Sequence, residues 1–156
     1  MGEESAYANK AKQIIADNSY MVIATVSSEG KPWAAPVFFA FDSKYANIYF
    51  ISATDSRHAE NIEANPNVAL AIYNSTSSID ISDGVQIEGT AYAVEKEGIN
   101  EAVKLYSLRL SDKAKQPEKY DPNQYLEPAE FRFFNVKVQK IYVTGTDRRV
   151  EVELGE

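Results

Sequence analysis

The chain has 156 residues, with 44% hydrophobic and 25% charged, a length and composition that suit one folded domain over 1–156 and exclude wholesale disorder. Its 16 basic and 23 acidic residues leave a net charge of −7, which speaks against nucleic acid or an anionic membrane as partner. Any anion this chain holds must therefore be held by a local pocket.

There is no cysteine, so disulfides and thiol chemistry are excluded, and one histidine leaves nothing for a structural zinc site. No metal site is expected. The opening MGEESAYANK lacks the apolar core of a secretion signal, and the longest apolar stretch, Trp33 to Phe41, is interrupted by Pro36 and too short to span a bilayer. A cytoplasmic location is the expectation.

In chain order, Glu4 to Ala16 carries Ala8, Ala11, Ile14 and Ile15 at helical spacing. YMVIATVSS reads as a strand, SEGKP as a turn, WAAPVFFAFD as a second strand and NIYFISA as a third. The short spacings favour antiparallel hairpins. Asp55 to Ala64 reads as a short helix stopped by Asn65-Pro66, followed by the strands NVALAIYN and GVQIEGTAYAVE. KEGINEAVKLYSLRL is a helix with Ile99, Val103, Tyr106 and Leu110 on one face. The polar segment from Ser111 to Glu130 holds three prolines and reads as a long loop. FRFFNVKVQKIYVTG and RRVEVEL close the chain as strands. The expected fold is mainly β, six to seven antiparallel strands with flanking short helices in a small closed or half-closed barrel.

Chemistry gathers where the third strand meets the short helix. A helix start presents unpaired N–H groups and a partial positive charge. Ser52 and Ser56 offer hydroxyls there, Arg57 a planar fork suited to phosphate oxygens, and His58 a switchable donor. Two readings stand side by side. The cluster is a phosphomonoester pocket, or Ser56 is only a cap and Arg57 pairs with Glu60 or Glu63 on a solvated face. Asp80 and Asp83 could hold a hard cation, but acids in a Ser-rich turn are more often plain loop residues. Trp33 is open between core, dimer contact and cofactor. A serine hydrolase finds no support, because no Gly-x-Ser-x-Gly elbow accompanies the one histidine.

The phrases VIATVSSEGKPWAAPVFFAFD, IYFISATDSRHAENIEANPNVALAIY and GVQIEGTAYAVE, over about residues 15 to 95, resemble the split-barrel flavoproteins related to pyridoxamine-phosphate oxidase. In that family an aromatic-Thr-x-x-x-Ser-Arg-Lys stretch binds the FMN phosphate, which the resemblance carries onto Ile51, Ser52, Ser56, Arg57 and His58. The strand that lays its backbone along the flavin corresponds to Pro36, Val37, Phe38 and Phe39. The family's Arg-x-Val-Leu-Leu-Lys strand is replaced here by Pro36 to Phe41, its phosphate lysine by His58, and its arginine-rich C-terminal signature is absent. The likeness is therefore closer to small uncharacterised members. It implies a homodimer with FMN between two barrels, acting on a small-molecule substrate, with no side chain standing out as a catalyst. A deazaflavin- or haem-binding module of the same fold, or a non-catalytic interaction barrel, are the alternatives.

Overall fold

The computed structural model describes residues 2–115 and 120–155. Helix α1 (Gly2–Asp17) leads into strands β1 (Tyr20–Val26) and β2 (Pro32–Phe38), joined by a turn in which Gly30 takes the positive φ of 78° that a side chain disfavours. Then come β3 (Ala40–Phe41), β4 (Asn47–Ala53), α2 (Arg57–Ala64), β5 (Asn67–Tyr73), β6 (Gly84–Ala93), α3 (Ile99–Ala114), β7 (Phe131–Thr144) and β8 (Arg149–Val152).

All pairings are antiparallel, in the order β2-β1-β5-β6-β7-β4-β3, with β8 on β7. The two ends of that order are consecutive in the chain. WAAPVFFAFD is not one strand; it breaks at Phe39, its first part pairing with β1 and its last two residues with β4. The sheet must curl to bring those ends together, giving the split barrel expected from sequence, with eight strand segments in place of six or seven. A register shift between Glu88 and Gly89 helps β6 bend along β7. A Cβ on Gly89 would sit 2.7 Å from the Lys137 carbonyl oxygen, so this crossing needs glycine.

Alternation along the strands points Met21, Ile23, Leu70, Ile72, Val85, Ile87, Phe134 and Val136 into the barrel, where Ala11 and Ile15 of α1 close one side. A second cluster lies on the outer face of β4 and β7, where Ile99, Ala102, Val103 and Tyr106 of α3 cover Tyr49 and Phe133. Leu110, expected on that face, is only half-buried. The helix runs four residues further than expected, through Ser111–Ala114. Part of the expected loop falls outside the described residues, and Pro122–Tyr125 forms a 3₁₀ turn. Asp83 is tied to Lys10 of α1 by an ion pair of 2.6 Å, the ordinary loop role for that acid.

The corner at Phe39 is fixed by Arg109 of α3. Its Nε donates to the Phe39 carbonyl at 2.8 Å, and its Nη2 donates to the carbonyls of Ile15 and Asn18 at the end of α1. The guanidinium lies over Phe39 and Phe41, 4.8 and 4.7 Å from their centroids. Three elements therefore meet on one cation. Replacing Arg109 with Ala should cost about 2–4 kcal/mol, because charge-assisted bonds are lost and carbonyls lose their partner. Urea denaturation measures this, and a loss under about 0.5 kcal/mol, the size of an ordinary surface change, would show the clamp to be incidental.

Candidate functional site

Strand β4 ends at Ala53 and α2 begins at Arg57, so three intervening residues turn the chain through the corner. Ser56 is the N-cap, accepting from the Ala59 N–H at 3.3 Å. The helix starts two residues later than the sequence suggests because Asp55 stays outside it. Its inner face carries Ala59, Asn61 and Ile62, all buried. Asn61 donates to Thr25 Oγ1 at 3.0 Å, a buried polar contact that fixes the helix against β1.

That placement brings three expected side chains together. Ser52 Oγ lies 2.8 Å from Ser56 Oγ and 2.7 Å from His58 Nε2. Ser52 has one hydroxyl proton and directs it to the Ala53 carbonyl at 3.1 Å, an acceptor only. Ser56 and His58 must then donate to Ser52, which assigns the Nε2–H tautomer to the imidazole. This direction is wrong for a serine nucleophile activated by histidine, but it is right for an anion. Ser56 and His58 are thus two donors converging on one point, the Ser52 oxygen. Burial lowers the His58 pKa from its ordinary value, so the ring is neutral near pH 7 in the free protein.

Arg57 stands beside this group rather than within it. Its guanidinium lies flat on Trp33 of β2, 4.2 Å from the ring centroid, and makes no ion pair with Glu60 or Glu63. Stacking occupies the face of the fork and leaves its N–H edges open. Trp33 is thus a platform for the arginine, still 40% exposed.

Ser52 and His58 line a cavity of about 670 Å3, together with Pro36, Val37, Ile51 and Ala53. Phe38 and Phe39 do not reach its wall. Phe38 packs edge-on to Tyr20 and Tyr106, while the Phe39 side chain is fully buried and its N–H and carbonyl bond to Ser19 and Arg109. The rest of the wall comes from residues the sequence had left in a helix face, a loop and a strand start: Tyr106, Tyr120, Gln124, Tyr125, Glu130 and Phe131. Two tyrosines inside a polar, proline-rich stretch were the available signal.

The lowered His58 pKa has a consequence for stability. The unfolded chain takes up this proton near about pH 6.5, the folded chain only at lower pH. The unfolded state therefore binds more protons in that window, and stability, complete above it, declines as pH falls through it. The urea midpoint should drop between about pH 7.5 and 5.5, and His58→Gln should flatten that drop. Equal slopes for the two proteins would place the titrating group elsewhere.

Similar proteins agree with this architecture. A UPF0306 protein of Pasteurella multocida is 25% identical over 92 residues, covering 59% of this chain and 62% of its own length. UPF0306 protein YhbP of Salmonella paratyphi A is 28% identical over 91 residues, covering 58% and 62%. The matched segment thus spans about three fifths of these curated relatives. Among solved structures, a haem-binding protein of Mycobacterium smegmatis superposes with a TM-score of 0.73 at 22% identity, over 94% of this chain and 57% of that one. HutZ, a haem storage protein of Vibrio cholerae, gives 0.69 at 18%, over 89% and 95%. A Listeria innocua protein described as a pyridoxamine 5′-phosphate oxidase homologue gives 0.62 at 21%, over 87% and 96%. At such identities these structures speak for the fold alone. The family model for pyridoxamine 5′-phosphate oxidase matches residues 8–145, nearly the whole barrel, and the chain belongs to that family.

Proposed function

We propose that this protein is an FMN-binding flavoprotein that exchanges hydride or electrons with a small substrate, working as a homodimer. The observation that carries the reading is the meeting of Ser52, Ser56 and His58 at the start of α2, where the Ser56 and His58 donors face one point. A phosphate group, which only accepts, would replace the Ser52 oxygen as their common target and gain the helix terminus as well. Ser52, Ser56, Arg57 and His58 would hold that phosphate, and Pro36, Val37 and Ile51 would border the ring system. The flavin supplies the redox chemistry when bound, and the chain supplies position and electrostatics.

The dimer finds its support on one sheet face. On FRFFNVKV, α3 covers Phe133 within the same chain and leaves Phe131 exposed at the end. The outer face of β1, β2 and β5 is different. Val22 pairs with Pro36 and Ala71, and Ala24 with Ala34 and Ala69, forming a flat patch of small apolar side chains. Ala24, Ala34, Pro36 and Ala69 are exposed on it. Pro36 also borders the cavity, so a second barrel seated there would reach the same site.

Haem is the second reading, favoured by the two haem proteins of the same fold. His58 is the only imidazole available, and binding iron would require Nε2 to leave Ser52. The absorption spectrum of the purified protein, before and after addition of each cofactor, separates the two.

Arg57→Ala should weaken FMN binding about ten- to a hundredfold, the value of a charge-assisted contact, and leave riboflavin affinity nearly unchanged. Fluorescence titration with both ligands tests this. An equal loss for both would detach Arg57 from the phosphate. Sedimentation of the FMN-loaded protein at micromolar concentration should show a dimer, and a monomer that retains FMN would exclude a shared site.

A further inference from the structure

Besides Ser52 and His58, the cavity has a predominantly aromatic part. Tyr106 comes from α3, Tyr120 and Tyr125 from the segment after it, and Phe131 from the start of β7. Tyr120, Tyr125 and Phe133 pack edge-to-face, with centroids 5.0 to 6.3 Å apart, which holds the tyrosines as fixed walls and not as loose surface groups. Phe131 stands at the lip, 49% exposed, a large apolar ring with no covering element in the described chain.

The charges are as informative as the rings. Two arginines lie close in sequence to this wall, and neither serves it. Arg109, one turn beyond Tyr106, is turned to the carbonyls of Phe39, Ile15 and Asn18. Arg132 follows Phe131 but is 7% exposed on the opposite side of the strand, bonded to the Val94 carbonyl and to Glu95 and Glu127, each at 3.1 Å. Among the described residues, the ionisable side chains that line the cavity besides the tyrosines are His58, neutral near pH 7, and Glu130. A second anion placed here would meet no lysine or arginine among the described lining residues, and one carboxylate.

We infer that this aromatic half is the substrate chamber and that it accepts uncharged planar ring compounds, of the quinone class, while rejecting phosphorylated ones. The inference rests on the FMN reading for the occupant of the other half. A planar ring has two π-faces to offer to tyrosine and phenylalanine walls, and burying it brings no charge out of water. A phosphorylated vitamer would lose the hydration of a dianion without a replacement. The family name would then describe the fold's ancestry and not this chain's substrate.

The test uses FMN-loaded protein and two probes, an uncharged naphthoquinone and pyridoxal phosphate, with binding followed by calorimetry. The naphthoquinone should bind at least about tenfold more tightly, and Phe131→Ala should weaken it about three- to tenfold, the value of one aromatic contact, with FMN affinity unchanged. Tyr125→Phe keeps the ring and should retain binding, which separates stacking from hydroxyl contacts. Equal or tighter binding of pyridoxal phosphate overturns the inference, as does a Phe131→Ala loss that falls on FMN instead. The same titrations on cofactor-free protein distinguish the two proposals. If FMN fails to bind while the naphthoquinone binds and depends on Phe131, the flavin reading falls and the chamber stands. If FMN binds and the naphthoquinone does not, the chamber falls alone.

Discussion

Everything in this molecule follows from one break in one strand. From Pro32 to Phe38 the chain pairs with β1, and from Ala40 to Phe41 with β4, so a single residue, Phe39, joins the two edges of the sheet. An open sheet exposes two rows of unpaired backbone groups, and curling it until the edges meet removes that liability. The fully buried Phe39 side chain anchors the corner from inside, and Arg109 holds its carbonyl from outside. Because the same guanidinium takes the carbonyls at the end of α1, barrel closure and the docking of both long helices are one event.

Closure also determines where chemistry can happen. Pro36 and Val37 precede the break, Ile51 and Ser52 end the strand that pairs just beyond it, and the curl brings them to one wall. The helix α2 completes that wall because Asn61 reaches Thr25 across the barrel end. A burial of two polar side chains is costly unless they satisfy one another, so this contact sets the helix in one orientation. The Ser56 hydroxyl and the His58 ring then have a single place to point. The alternation of β-structure does the rest, sending Phe50 and Phe134 inward and Tyr49 and Phe133 outward beneath α3.

Electrostatics in this fold are local. The chain carries a net charge of −7, yet the site-forming corner offers donors, a neutral imidazole and one stacked arginine. The fork of Arg57 is held by a ring and not by a carboxylate, which keeps its charge uncompensated for a ligand. Arg109 and Arg132 show the opposite arrangement: half-buried Arg109 is held by three carbonyls, and buried Arg132 by one carbonyl and two carboxylates. Their surroundings, and not the residue type, separate Arg57 from Arg109 and Arg132.

Near-neighbour patterns in the sequence establish most of the strands, the helices, the antiparallel class and the closeness of Ser52, Ser56 and His58, with Arg57 beside them. Those features depend on near neighbours, on alternation, helical spacing and capping, which a linear reading contains. It also determined the family, since the order of phrases survives even where single motifs have changed. Only the tertiary structure decided that WAAPVFFAFD bends into two partners, because a run of apolar residues looks the same whether it stays in one sheet edge or crosses to the other. Tertiary structure alone decided that Arg57 rests on Trp33 instead of Glu60, a choice made by the distance between β2 and α2 and invisible to spacing. The aromatic wall was hidden for the same reason. Tyr106, Tyr120, Tyr125 and Phe131 are spread over three kinds of local structure, and no periodicity links them until the barrel closes and α3 packs across it.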